Sequence, residues 1–408
     1  MQPPTPQDAR RSRTKTQLME IIRRGAGVTR ADLCQITGMS RSAVAAVVQE
    51  LLDERLVEED VLRPGGKGAG RGRPSALLVP RADRGYVIGM DFAHTHVAVC
   101  IADLQGEVVA EEWSTVDVDG NARSALDVAS GTAARLLDRA GLTSKDVRCA
   151  AAGIPAPIDG RTKAIRSTTI LSDWLDIRPE EELTRMLGVR VVVANDADMG
   201  AQGELRYGAG RGLRDLIYLR LDEGLGAGLI LDGVPYSGSR GLAGEVGHTQ
   251  LSDQGTWCRC GNRGCLETVV SSAFVRQLLG QSRIAVGEGP HPFAEVASHP
   301  PVARYLSETG RTLGRVLADL CNWLNPRGIV LGGELGTASA PLVDGVREAI
   351  DRYAQTSTAE TVEVRSAHLG LRAELLGAVS VAIREAGYEQ WASSRDAVSH
   401  VAAAGLSA

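Results

Sequence analysis

No stretch of the 408 residues is apolar for long enough to cross a bilayer, and the opening MQPPTPQDARRSRTK is polar throughout, without the apolar core of a signal peptide. No membrane association is expected, and the chain reads as cytoplasmic. Cysteine is scarce, with seven in all. Cys34, Cys100, Cys149 and Cys321 are scattered through apolar surroundings, the pattern of small buried hydrophobes in a reducing compartment. Net charge is low, with 45 Lys and Arg against 50 Asp and Glu, or -5. That balance is uneven, because residues 1–80 hold 13 basic and 9 acidic side chains, leaving 32 against 41 for the remainder. A basic head (+4) on an acidic body (-9) points to an anionic partner for the head alone. At 43% hydrophobic content the chain can build two or three domains with sizeable cores.

The other three cysteines fall in GLAGEVGHTQLSDQGTWCRCGNRGCLE, residues 241–267, where His248, Cys258, Cys260 and Cys265 are spaced H-x9-C-x-C-x4-C. Three thiolates and an imidazole suit a tetrahedral zinc ion with no open position, a structural metal rather than one that activates water. Buried or disulfide-bonded cysteines are the alternative, but a bridge between Cys258 and Cys260 would be badly strained. Glu245 and Glu267 flank the ligands, so folding the loop carries two carboxylates to the edges of one rigid body. A ligating imidazole keeps a second nitrogen for a hydrogen bond, and a polyhydroxylated ligand would satisfy it. The competing reading of both glutamates is solvated surface.

The head reads as three helices. Thr16–Arg24 carries apolar residues at helical spacing and stops at Gly25; Thr29 caps Arg30–Thr37, which stops at Gly38; Ser40 caps Arg41–Arg55, with Val44, Val47, Val48, Leu51 and Leu52 on one face. Helix, turn with glycine, helix is the helix-turn-helix plan. Ser40, Arg41 and Ser42 open the helix whose start reaches base edges in that plan. Residues 56–59 and 75–79 read as strands around the loop PGGKGAGRGRP, a basic wing whose Lys67, Arg71 and Arg73 suit phosphates or a minor groove. A trihelical interaction module with a solvated loop is the alternative, and the conjunction of helix order, caps and basic hairpin favours DNA.

From Gly85 the grammar changes to strands followed by helices, twice over. YVIGMDF, VAVCIADL and EVVAEEW precede the helical Ala122–Ala140 and the strands Val147–Gly153 and Val189–Ala194. LIYLRLDEG, AGLILDG and VPYSGS precede helices between Ser271 and Asn325 and the strand GIVLGG. The repetition predicts a duplicated α/β fold with a cleft between its lobes.

G-E-V-G-H followed by C-R-C-G-N-R-G-C-L-E resembles the sugar-site and zinc signature of the ROK family of repressors, open reading frames and sugar kinases. The resemblance covers residues 85–390 and implies the two-lobed, duplicated actin-like ATPase fold, with the head resembling the winged helix-turn-helix ahead of the ROK domain in the family's repressors. It divides the chain into a DNA-binding domain (1–80), a first lobe (81–194, with 386–408 as a candidate returning segment) and a second lobe with the zinc loop (195–385). It implies that Glu245, His248 and Glu267 hold sugar hydroxyls. Asn195-Asp196-Ala197-Asp198 is similar to the family's N-D-A-N turn, in which the asparagine binds the hydroxyl and the aspartate, here Asp196, is the general base. A turn-forming Asn-Asp pair is the plain alternative. Gly153–Asp159 resembles the G-x-P-G-x-V-D loop beside the pocket.

The family's kinases close a D-x-G-G-T turn and an L-G-T-G-x-G-x-G loop around ATP phosphates. Here the first is Asp91-Phe92-Ala93-His94-Thr95 and the second Leu221-Asp222-Glu223-Gly224-Leu225-Gly226-Ala227-Gly228. Side chains replace glycines in one, and two carboxylates face a polyanion in the other. Only the adenosine-side turn, Leu331-Gly332-Gly333-Glu334, is in order. ATP and Mg2+ are therefore not expected. The resemblance implies a sugar-responsive transcriptional regulator, a repressor, with operator DNA and a sugar or sugar phosphate as partners, working as a homodimer or homotetramer. The alternative is a glucokinase-like enzyme fused to a DNA-binding domain, with Asp196 catalytic.

Overall fold

The computed structural model describes residues 14–15, 18–19, 21–22, 28–53, 57–60, 76–80, 85–165, 171–175, 177–281, 293–336 and 340–387. They divide into an N-terminal unit before Gly85 and a larger unit, Gly85–Gly387.

In the N-terminal unit the local signals act as expected. Helix α1, Arg30–Thr37, starts from a capping box in which Thr29 Oγ1 accepts from Asp32 N (3.2 Å) and Asp32 accepts from Thr29 N (2.8 Å). It ends at Gly38, whose φ of 68° is the left-handed stop that glycine adopts without strain. Helix α2, Arg41–Asp53, buries Val44, Val47, Val48 and Leu51 against Leu18, Ile22, Leu33 and Leu78. Strands β1 (Val57–Asp60) and β2 (Leu77–Pro80) pair antiparallel, and Val28 bridges to Leu78 beside them. This is a winged helix, with the strands one or two residues later than the sequence suggests. Lys67, Arg71 and Arg73 lie outside the described residues, as do parts of the predicted helix Thr16–Arg24.

The larger unit holds two sheets. The first half runs β3 (Tyr86–Phe92), β4 (His96–Asp103), β5 (Val108–Thr115), α3 (Ala122–Arg139), β6 (Val147–Ile154), α4 (Pro179–Leu187), β7 (Val191–Asn195) and α5 (Asp196–Tyr207). The second runs β8 (Leu216–Leu221), β9 (Leu225–Leu231), β10 (Val234–Pro235), α6 (Ser272–Gln281), α7 (Pro300–Leu324), β11 (Gly328–Gly332), α8 (Ala340–Tyr353) and β12 (Glu363–Ser366). The strand orders are β5-β4-β3-β6-β7 and β10-β9-β8-β11-β12. In each, three consecutive strands pair antiparallel and two later strands add in parallel on the free side of the first. Shared connectivity of this kind is the duplication that the repeated sequence grammar predicts.

A last helix, α9 (Ala373–Glu385), leaves the second half and packs on α5, β3 and β6. Glycine makes that return possible: a Cβ on Gly377 would lie 1.8 Å from Met199 O, and one on Gly203 2.1 Å from Ala373 O. Helices α5 and α9 therefore meet backbone to backbone. At its end Arg190 Nη2 donates to Glu385 Oε2 at 2.6 Å, tying α9 beside β7. The returning element is thus this helix; the tail 388–408 lies outside the described residues.

Candidate functional site

His248, Cys258, Cys260 and Cys265 each bring a ligand atom to within 4.8 Å of the others. Cys258 Sγ lies 3.5 Å from His248 Nδ1, and Cys260 Sγ 3.7 Å from Cys265 Sγ. Zn–S bonds of about 2.3 Å in a tetrahedron give S···S edges of about 3.8 Å, so the donors stand at metal-ligand rather than disulfide separation. All three cysteines are free thiols. Glycine lets the loop close this tightly, since a Cβ on Gly264, where φ is +64°, would fall 1.9 Å from Ser252 O. Each residue of the set thus suits a closed, structural zinc.

The same loop presents the two glutamates. His248 turns Nδ1 toward the thiols and leaves Nε2 3.6 Å from Glu245 Oε2. Glu267 Oε1 accepts from Cys258 Sγ at 2.8 Å and lies 3.6 Å from His248 Nδ1. Burial raises the pKa of Glu245; His248 opposes that shift, while Asp196 and Glu267 add to it. Glu245 therefore feels the charges of both Asp196 and Glu267.

Asn195 and Asp196 sit where β7 becomes α5. Asn195 Oδ1 caps the helix by accepting from Ala197 N (2.9 Å), and its Nδ2 donates to Ala156 O (3.2 Å). That leaves one N–H and one lone pair for a ligand. It also pins the Gly153–Asp159 loop, which Arg240 grips from the other side through Asp159 Oδ2 at 2.7 Å. Asp196 is buried, accepting from Ala197 N (2.8 Å) and from Arg220 Nη1 (2.7 Å).

Arg220 was not legible as a site residue, although an arginine inside the otherwise apolar strand Leu216–Leu221 is an anomaly. Its Nη1 meets Asp196, its Nη2 meets Asp222 Oδ2 at 2.9 Å, and its Nε lies 3.3 Å from Glu374 Oε1 without hydrogen-bond geometry. Glu374, at the start of α9, also accepts from Tyr218 Oη at 3.0 Å. Asp91 lies beside this group with Oδ1 buried and unpartnered. Burial pushes Asp91 up to about 7, against the pull of Arg220 and with the help of Asp196 and Asp222. Asp198 is likewise pushed up to about 7 by burial, then by Asp196 and, past an opposing hydrogen bond from Ser237, by Glu245.

The two altered loops are filled from within the chain. Asp222 Oδ1 accepts from Glu334 N, so its carboxylate sits over the Leu331–Glu334 turn. A Cβ on Gly333 would come 2.6 Å from that oxygen. His94 Nδ1 lies 2.8 Å from Asp119 Oδ1. In the N-terminal unit Ser40, Arg41 and Ser42 are all exposed, and Ser40 Oγ caps the start of α2 by accepting from Ala43 N at 3.3 Å while lying 3.1 Å from Ser42 Oγ.

A ROK family profile matches residues 87–385, and a MarR family profile residues 12–64. The chain belongs to the ROK family. It is 26% identical over 375 residues to the xylose repressor of Caldicellulosiruptor bescii, covering 88% of this chain and 92% of that one. It is 30% identical over 314 residues to the glucokinase of Halalkalibacterium halodurans, covering 72% of this chain and 94% of the enzyme. A solved ROK family transcriptional regulator, a homologue of the E. coli MLC protein, shares the fold with a TM-score of 0.75 at 23% identity, over 94% of this chain and 98% of that one. The ROK protein thus pairs an actin-like unit with a MarR-type winged head. No helix among its described residues is long and apolar enough to cross a membrane.

Proposed function

We propose that this ROK protein is a sugar-responsive transcriptional repressor. Its winged helix binds operator DNA, with Ser40, Arg41 and Ser42 at base edges and Lys67, Arg71 and Arg73 of the wing on the backbone or in a minor groove. Its cleft takes a sugar through Asn195, Asp196, Glu245, His248 and Glu267. A structural zinc on His248, Cys258, Cys260 and Cys265 supplies a rigid, closed coordination shell that fixes Glu245 and Glu267 relative to His248. The protein works in the cytoplasm as a homodimer or homotetramer, so that sugar binding changes lobe closure and with it the spacing of two heads on two half-sites. A sugar moves that equilibrium only by binding one closure state better than the other.

The observation that carries this reading is Arg220. In a kinase Asp196 would take a proton from the sugar hydroxyl, but here its Oδ2 is held by a guanidinium at 2.7 Å, and Asp222 of the phosphate loop occupies the adenosine-side turn. The similarity to a xylose repressor along both units agrees with it. The retained Asp196 and the similarity to a glucokinase favour a second reading, an ATP-dependent sugar kinase. The test is to select DNA from a random pool with the purified chain and titrate the complex with D-xylose and D-glucose. A shift of tenfold or so in DNA affinity supports the repressor. Unchanged affinity with every aldose, together with sugar-dependent release of ADP from Mg-ATP, overturns it for the kinase.

A further inference from the structure

Resting on the reading of the cleft as a sugar site, we propose that the effector is an uncharged sugar and that the protein's own buried carboxylates turn away phosphorylated ones. Asp91, Asp196, Asp222 and Glu374 are at most 8% exposed, and they converge on one guanidinium, that of Arg220. Three of the four lie within salt-bridge distance of it, so carboxyl groups outnumber the guanidinium before Asp91 is counted. Asp198 and Glu245 also feel the charge of Asp196. A phosphate on the hydroxyl that faces Asp196 would enter this field.

Arg220 does not rescue such a phosphate. Its Nη1 is engaged by Asp196 and its Nη2 by Asp222. To turn toward a ligand it must leave a buried carboxylate without its partner, an expensive exchange compared with binding in water. Hydrogen-bond chemistry points the same way. Asp91 Oδ1 is a buried acceptor without a donor, and it lies 3.6 Å from a Cβ placed on Gly153, which is itself 3.5 Å from Asp196 Cα. Asp91, Asp196, Asp198, Glu245 and Glu267 offer acceptors when ionised; sugar hydroxyls can donate to the lone pairs left over, whereas a phosphate dianion brings only more acceptors.

The test uses the full-length, zinc-loaded chain and calorimetry with D-xylose, D-glucose, D-mannose and N-acetyl-D-glucosamine, each beside its terminal phosphate ester. The expected result is that at least one neutral sugar binds and that its phosphate binds roughly 100-fold more weakly, as like-charge juxtaposition predicts. In Asp222→Asn that ratio narrows about tenfold, the loss of one nearby like charge. Asp91→Asn, isosteric and at a position already half-neutral near pH 7, serves where the first variant folds poorly. A phosphate ester that binds as tightly as its parent overturns this inference and leaves the sugar cleft standing. Ratios unmoved in both variants also overturn it. Failure of every sugar, neutral and phosphorylated, overturns the sugar-cleft reading and this inference with it.

Discussion

Replacing Arg220 by methionine keeps most of the side-chain volume and removes a cation that Asp196, Asp222 and Glu374 share. The side chains of Arg220, Asp196, Asp222 and Glu374 are 14%, 8%, 11% and 5% exposed, so water screens them little. Removing one partner of a buried ion pair costs about 3–5 kcal/mol, because the charge left behind stays desolvated. With an unfolding entropy of about 2.1 cal/mol/K per residue over the larger unit, that corresponds to a Tm lower by roughly 5–8 °C. The pH dependence carries the sharper signature. Burial already holds Asp91 at about 7 and Glu374 well above the usual carboxylate range, with Arg220 pulling both down. Without the guanidinium both rise further. A carboxylate whose folded pKa exceeds its unfolded value contributes stability that is fully present below the unfolded value and is lost as pH rises through the folded one. The deficit of Arg220→Met relative to wild type should therefore be small near pH 5 and large near pH 8, read by calorimetric melts across that range. A Tm change under about 1 °C at pH 8, or a deficit that does not vary with pH, would refute the account of the cluster.

Three further outcomes follow from other parts of the molecule. Cys265→Ser, at a buried thiol of the His248–Cys265 cluster, should give a chain that purifies without the zinc expected in wild type by inductively coupled plasma mass spectrometry and that no longer binds sugar, while the winged head still binds DNA in a melting-shift assay. Gly203→Ala places a methyl 2.1 Å from Ala373 O and should destabilise the larger unit by about 3 kcal/mol, as overpacking a tight helix crossing does; a Tm within error of wild type would argue against the α5–α9 contact. Arg41→Ala should weaken DNA binding and lower the slope of log K against log salt by about 0.9 if the side chain neutralises one phosphate, or relax sequence preference at unchanged slope if it reads a base.

The parts of the fold that were legible in the sequence are those whose causes are local. Thr29 and Gly38 announce both ends of α1 because capping hydrogen bonds span three or four residues. The meeting of His248, Cys258, Cys260 and Cys265 needed only a short loop with glycines where it folds back. Strands β3, β4, β8 and β9 were legible from their apolar runs, and β5 from the short turn at Gly106 that precedes it. The rest depended on pairing across long separations. β12 is four residues long and is a strand because β11 lies beside it. Helix α9 is placed by Gly203 and Gly377, which look like helix weakeners until the crossing is known. Arg220 finds partners at positions 196, 222 and 374, and although Glu374 is the lone acid in the apolar run 373–383, its partner lies too far away in sequence to be read. Asn195 was readable as a polar turn residue, and its use as a helix cap that also holds the Ala156 loop emerges only from the assembled site.

The most direct measurement is the affinity of the selected DNA for wild type and for Glu245→Ala, each zinc-loaded, with and without saturating D-xylose or D-glucose, followed by fluorescence anisotropy. The account predicts that one of these neutral sugars changes the wild-type affinity by tenfold or so and leaves the variant's affinity where it was. A wild-type affinity indifferent to sugar, or a variant that responds as fully as wild type, would contradict it.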